Sequence, residues 1–424
     1  MTTERLRLLL LAPRFPYPPL SGGKLFFLNV AKALSHHRLT LLSLCASREE
    51  MDDEPADGLF SEIHKVYLPK WKSVWSVLRA LPGRMPLQLA YYWSAEFRAK
   101  VELLLPRHDA VLAHLVRTGQ YVESARHDVP RVLLMADAIS LAYKRMADLS
   151  GSSPLWHWLY RVELNRLFNC ERRFPQTFDQ TWLHSDIDRR FLGLDSTTTR
   201  IVPIGVDLAE FQFHPVTSGN VVAFVGNMSF SLNQDACHHF LQTIFPLLEE
   251  RQQMRFRVIG ACPPSVRRDL EKYPGVEVTG RVDRIADAID GVFCGVCPLR
   301  AGAGIQNKIL NYLALGIPCV TSRVGLEGLN AVDGSDLFVY EKPQDAAKLI
   351  ANLHLNAALR KTTAAAGRRF VEQSHGWPQI HHRIRQEVAG LRFSCRPEPD
   401  ADFGYPSQQV FPAYADAQKG LPVV

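Results

Sequence analysis

The residues best placed to do chemistry lie between Pro298 and Val320, where Arg300, Gly302, Gly304 and Lys308 follow one another closely. An apolar, β-prone run from Val292 to Cys297 precedes them, and Ile305 to Leu315 has helical spacing that stops at Gly316. A helix so placed begins where the glycines end. Its first-turn N–H groups lack intrahelical acceptors and carry the positive end of the helix dipole, and Arg300 and Lys308 add two cations. Such a loop suits a phosphate or diphosphate, held by the backbone of Gly304, Ile305, Gln306 and Asn307. Gly302-x-Gly304-x-x-Asn307 also half-matches a dinucleotide fingerprint, with Asn307 in the place of the third glycine and Glu327 at a distance that suits a ribose. Glycines that only turn a strand into a helix explain the glycines but not the two cations.

A second glycine loop, Ser21-Gly22-Gly23-Lys24, lies between the apolar run Leu6 to Ala12 and the helically spaced Phe26, Phe27, Val30, Ala31 and Leu34. It reads either as a tight turn or as a place where a ligand reaches the backbone. Asp137 ends the run Leu133 to Ala136, where α/β sheets present ligand-facing groups, although capping the next helix would also account for it. His114, also at a strand end, reads as a satisfied structural histidine. Glu163 and Glu171 on a long helix are expected to be solvated or paired with Arg161, Arg166 or Arg172. Asp186-Ile187-Asp188 reads as a capped first helical turn, and Cys294-x-x-Cys297 lacks the second pair that zinc needs, so neither a metal nor a cofactor is expected.

The stretch from Lys70 to Arg84 differs from its surroundings. Trp71, Val74, Trp75, Leu78 and Leu81 share one helical face, and Lys70, Lys72, Arg79 and Arg84 decorate the rest with no acid between them. Two expectations stand side by side: a surface helix packed on a sheet, or a helix lying in an anionic membrane interface. Pro86 to Trp93 is expected to add aromatic surface for an acceptor or lipid.

These groups need a scaffold, and 424 residues with 46% hydrophobic side chains supply enough apolar material for two domains. The eight cysteines are scattered through apolar runs, as buried thiols in a reducing compartment would be. The start lacks a signal-peptide pattern, so a cytoplasmic protein is expected. A net charge of +6 favours anionic partners, without the clustered arginines of a nucleic-acid binder. Strand-like runs at Arg38 to Cys45, Ile63 to Leu68, Asp109 to His114, Arg131 to Ala136 and Asp179 to His184 alternate with helical spacing, and the alternation resumes from Val221. The fold class that follows is α/β, with two Rossmann-like, doubly wound layers. Gly193 to Arg200 reads as a linker, and 395–424, rich in Pro, Ala, Asp and Gln, as a disordered tail.

From Leu8 to Trp377 the chain resembles the retaining glycosyltransferases of family 4, in particular their exopolysaccharide-associated branch. The likeness is carried by Ser21-Gly22-Gly23-Lys24, His184-Ser185-Asp186-Ile187-Asp188, Pro203-Ile204-Gly205-Val206-Asp207, Phe224-Val225-Gly226-Asn227-Met228, Gly280-Arg281-Val282 and Gly304-Ile305-Gln306-Asn307-Lys308. It implies a GT-B fold: an acceptor domain over 1–197, a donor domain over 198–377, and a helix over 378–394 crossing back to the first domain. It implies a metal-independent transfer from a nucleoside-diphosphate-sugar to a lipid-linked or polysaccharide acceptor. Asp137, Lys308 and Arg300 are then the catalytic candidates. Gly22, Gly23, Gly226, Asn227, Gly304 to Asn307 and Asn311 are the donor-binding ones, and Trp71, Trp75, Lys70 and Lys72 face a membrane or acceptor. The chain departs from the family at Ala303 and Asn311, where a pair of glutamates is usual. Asn311 can accept a ribose hydroxyl bond only without charge assistance. A non-catalytic relative that binds a nucleotide-sugar or a partner enzyme therefore stays open beside the enzyme, as does the NAD(P) reading.

Overall fold

The computed structural model describes residues 5–125, 129–149, 154–215, 218–249 and 252–391. The tail expected to be disordered from 395 lies outside it. Two parallel sheets organise the chain. The first joins β1 (Arg7–Ala12), β2 (Arg38–Cys45), β3 (Glu62–Tyr67), β4 (Ala110–His114), β5 (Arg131–Ala136), β6 (Gln180–Leu183) and β7 (Thr199–Ile201) in the order β3-β2-β1-β4-β5-β6-β7. The second joins β8 (Val221–Val225), β9 (Arg255–Ile259), β10 (Val276–Gly280), β11 (Val292–Cys297), β12 (Cys319–Ser322) and β13 (Phe338–Tyr340) in the order β10-β9-β8-β11-β12-β13. The reason is visible in β1: Leu8 and Leu10 enter one core and Leu9 and Leu11 another, all four fully buried. A strand apolar on both faces belongs inside a helix-covered parallel sheet. In each sheet the order reverses beside the first strand, between β1 and β4 and between β8 and β11, and ligands of open α/β sheets bind at that crevice.

Several expectations need correction. Gly193, at φ 63°, is the left-handed stop of the helix Asp186–Leu192, and Thr199–Ile201 pairs with β6, so the supposed linker belongs to the first sheet and the 197/198 boundary falls within it. The first helix after β8 is regular only over Ser231–His239. It then widens to a π turn at Phe240–Ile244 and tightens to a 3₁₀ turn at Phe245–Leu247, where Pro246 forbids regular helix. Glu163 and Glu171 are buried, not solvated. Glu171 accepts from the backbone N–H groups of Ile139 (2.8 Å) and Ser140 and from the Ser140 hydroxyl. Glu163 accepts from Gln88 N–H and has the expected Arg166 as its ion-pair partner at 3.9 Å.

Helix Lys70–Ala80 does not pack its tryptophans on the sheet: Trp71 is 61% and Trp75 59% exposed, Val74 and Leu78 are also exposed, and Ser73 is its one buried residue. The segment Pro86 to Trp93 is less of a surface than expected. Leu89, Ala90 and Tyr92 are buried, Trp93 stacks on Tyr121, and Arg117 lies 4.9 Å over the Tyr92 ring.

The chain passes between the sheets twice, and the two passages touch. Val206 N–H donates to His375 O at 2.8 Å, His375 Nδ1 lies 2.9 Å from Ile204 O, and Gly205 faces the Trp377 indole so closely that a Cβ there would lie 2.6 Å from the ring. The helix Trp377–Ala389 then buries Ile380, Ile384 and Val388 on the first domain. There His381 meets Asn29 at 3.0 Å, and Arg200 pairs with Glu387 at 3.0 Å.

Candidate functional site

Both glycine loops sit at the carboxyl ends of their sheets, and the structure brings them together. The helix Asn307–Leu315 opens the second loop. It starts at Asn307 and not at Ile305, because Gly304 takes a left-handed φ of 66° and Gln306 remains extended. No side chain caps this helix. Gly22, the first residue of helix Gly22–Ala33, faces Asn307 across the crevice, and a Cβ on Gly22 would lie 2.5 Å from Asn307 Nδ2. Ile305 is buried, and a Cβ on Gly328 would lie 2.9 Å from its Cγ1 and 3.0 Å from Ser185 Cβ of the first domain.

Lys308, in the first turn of that helix, is buried with its Nζ 3.0 Å from Asn233 Oδ1 and 4.7 Å over the Phe224 ring. Asn233 Nδ2 in turn donates to Asn227 O at 2.9 Å and packs against Gly226. Gly226, Asn227 and Lys308 therefore form one group at the ends of β8 and β11. Asn311 is half-buried one turn beyond Asn307. Arg300 does not bring a free charge to this group: Asp235 grips its guanidinium through two nitrogens, and its side chain is 40% exposed. The proximity of Asp235 was invisible in a sequence that separates the pair by 65 positions.

From the first domain, Asp137 enters the crevice. Its carboxyl is buried, Oδ1 has no hydrogen-bond partner, and a Cβ on Gly304 would lie 1.7 Å from it. Burial, and then the nearby Asp188 and Glu171 carboxylates, push Asp137 well above the usual carboxylate range. Burial raises Asp188 too, and lifts Glu171 to about 7. The expected capping role belongs elsewhere, since Ala138 stands at the N-cap of helix Ile139–Asp148. His114 is not the satisfied histidine expected: its Nε2 is buried without a partner, its ring stacks on Phe27, and Cε1 faces Gly23. Burial, reinforced by the Arg117 charge, pushes it down to about 3, so it is neutral. Backbone strain frames both residues. Leu115, just after His114, and Ala136, just before Asp137, have φ of 64° and 68°, conformations that non-glycine residues adopt only when surrounding structure enforces them.

Arg145 escaped sequence reasoning altogether. On helix Ile139–Asp148 it donates to Gly302 O at 2.7 Å and to Glu327 Oε1 at 2.8 Å, so one side chain of the first domain holds the loop of the second. Its partners are 157 and 182 residues away, and no local pattern marks it. Lys70, Lys72, Trp71 and Trp75 lie on the exposed helix described above, separate from this group.

Known proteins share features of this chain. Residues 219–356 match the family model described as Glycosyl transferases group 1. An uncharacterized 44.6 kDa protein in the cps region of Klebsiella pneumoniae is 20% identical over 386 residues, covering 88% of this chain and 97% of the relative. Among solved structures, Anabaena Alr3699/HepE in complex with UDP superposes with a TM-score of 0.65 at 14% identity, over 91% of this chain and all of that one. Sucrose-phosphate synthase from Thermosynechococcus elongatus gives a TM-score of 0.70 at 15% identity, over 91% of this chain and 98% of that one. The chain thus has the GT-B fold, and within it residues 219–356 are similar to the glycosyl transferases group 1 model.

Proposed function

We propose that the protein is a retaining glycosyltransferase that moves a sugar from a nucleoside-diphosphate-sugar to a lipid-linked or growing polysaccharide acceptor. The observation that carries this reading is the meeting of Gly304 and the uncapped start of helix Asn307–Leu315, whose first turn holds Lys308, with Asp137 and Gly22 of the opposite domain. UDP and UDP-glucose complexes of the Anabaena neighbour, and the cps region of the Klebsiella relative, support the donor class and the glycan context.

In this reading the diphosphate lies over the first turn of the helix, where backbone N–H groups and the Lys308 ammonium meet the charge that grows as the bond to the anomeric carbon breaks. Lys308 supplies the cation, so the reaction needs no metal. The acceptor hydroxyl approaches from the first domain on the face the diphosphate leaves, and its proton passes to a departing phosphate oxygen, so the anomeric configuration is retained. Asp137, whose carboxyl burial pushes upward, and neutral His114 hydrogen-bond the donor sugar's hydroxyls and fix the anomeric carbon. Asn311 accepts from the ribose. The exposed tryptophan helix attaches the enzyme to the inner membrane face, where a lipid-linked acceptor is found. Among the described residues no helix is long and apolar enough to cross a membrane.

Ala303 and Asn311, in place of two glutamates, favour a second reading: a catalytically impaired relative that binds a nucleotide-sugar without transferring it. Single-turnover reactions with radiolabelled UDP-, GDP- and TDP-sugars and a membrane-extracted acceptor decide between them. Product with retained configuration supports the enzyme, whereas binding without transfer supports the second reading.

A further inference from the structure

Away from the crevice, the outer face of the first domain has a cavity of about 840 Å³. Its walls come from the segment that follows helix Lys70–Ala80 and from helices Ala95–Leu104, Leu115–Glu123 and Pro154–Arg173. Arg84, Arg98, Arg166 and Arg173 line it, together with Trp93 and Gln120. Arg173 is matched by Glu123 at 2.8 Å, and Arg166 has buried Glu163 at 3.9 Å. Arg84 and Arg98 are exposed and form no ion pair among the described residues; Arg98 lies 5.9 Å over the Trp93 ring. Gln120 donates to Leu89 O and Arg117 O, leaving its buried Oε1 without a partner. The cavity thus has surplus positive charge and a spare acceptor for a hydroxyl.

Its position is as telling as its charge. Arg166 donates to Leu81 O at 2.7 Å, which ties the cavity to the end of the helix bearing exposed Trp71, Val74, Trp75 and Leu78. From Lys70 to Ala95 the chain has four cations and no acid. Tryptophans that enter a lipid interface would hold the cavity mouth at headgroup depth, where phosphates and glycerol or sugar hydroxyls are concentrated.

We propose that this cavity binds the phosphate-bearing headgroup of an anionic membrane lipid, with Arg84 and Arg98 on the phosphate. The proposal rests on the reading of helix Lys70–Ala80 as the membrane-facing element, and the two are tested apart. The full-length protein is titrated calorimetrically with dihexanoyl phosphatidic acid below its micelle concentration, with dihexanoyl phosphatidylcholine and with inorganic phosphate. In parallel it is floated with vesicles that contain about 30% phosphatidylglycerol, the anionic surface that draws basic segments. Saturable binding of phosphatidic acid, weaker binding of the other two, and a loss of about tenfold or more in the exposed pair Arg84→Gln/Arg98→Gln are expected. Trp71→Ala/Trp75→Ala should abolish flotation yet leave that titration unchanged. Equal binding of inorganic phosphate, lost through the same arginines, would make this a free-anion site and overturn the lipid assignment. Unchanged titration in the arginine variant overturns the cavity while wild-type flotation preserves the membrane face, and absence of both titration and flotation in the wild type removes both.

Discussion

Asp137 of the first domain rests against the backbone of Gly304 in the second, so close that a single methyl group on the glycine would lie 1.7 Å from the carboxyl oxygen. Gly304→Ala must therefore separate the domains or displace Asp137, besides the roughly 1 kcal/mol for a side chain at positive φ. Nucleotide-sugar affinity should fall and the radius of gyration from small-angle scattering should rise. Asp137→Gly added to Gly304→Ala should restore part of the loss, a coupling that a double-mutant cycle reads directly.

Lys308→Ala should weaken nucleotide-sugar binding by about 1.5–3 kcal/mol, the usual worth of a hydrogen bond to a charged group. Calorimetry with UDP-sugars checks it. An unchanged affinity would remove the diphosphate from the start of helix Asn307–Leu315.

Arg145→Met removes the bonds to Gly302 O and Glu327 that link the domains. It should cost about 1–3 kcal/mol of interdomain stability, since the Glu327 carboxylate and a loop carbonyl both lose a partner. In differential scanning calorimetry the unfolding endotherm should broaden or split, and Arg145→Lys should recover less than half of the effect because one ammonium cannot replace the fork.

Stability should depend on pH through Glu171, whose carboxyl is raised by burial from 4.5 to about 7. A raised acid binds its proton more tightly in the folded state, so its contribution is complete below about pH 4.5 and is lost as the pH rises through 7. Buried His114 and His184 act in the opposite direction, because their pKa values are depressed to about 3 and 4 and they favour the fold above 6.5. Glu171→Gln isolates the acid. Relative to wild type, the variant should gain on the order of 3 kcal/mol between pH 4.5 and 8 in urea unfolding, at about 1.4 kcal/mol per pKa unit. A constant difference would mean that Glu171 titrates normally.

Asn311→Glu should keep or strengthen donor binding if this side chain meets the ribose, because an ionised acceptor makes the stronger bond to a hydroxyl. Equilibrium binding of UDP before and after the substitution tests it, and a loss of several kcal/mol would mean an unpaired carboxylate in a closed cleft.

Much of the scaffold was legible because its strands are apolar on both faces, as in Leu8–Leu11 and Val221–Val225, and because glycine loops follow the strands that meet at the crevice. Short edge strands were not. Thr199–Ile201 is polar enough to pass for a linker, and Phe338–Tyr340 spans only three residues. In the crevice, Lys308 and the glycines were marked by spacing, but charge neutralisation is a three-dimensional property. Nothing near Arg300 foretold Asp235, nothing near Arg145 foretold Glu327, and the buried acids around Asp137 gather from separate elements. Strain at Leu115 and Ala136 carries no residue-type signal, since neither side chain favours positive φ.

The two passages between the sheets, bonded side by side at Val206–Gly376 and His375–Ile204, leave the domains few ways to move. Strands fastened to each other at one place can twist together but cannot slide apart. Any opening of the crevice is therefore expected to pivot near Trp377, like covers on one spine. A small rotation there would be magnified at the far lip of the crevice, so opening it would take little rearrangement at the pivot and a larger excursion at Gly22 and Asn307.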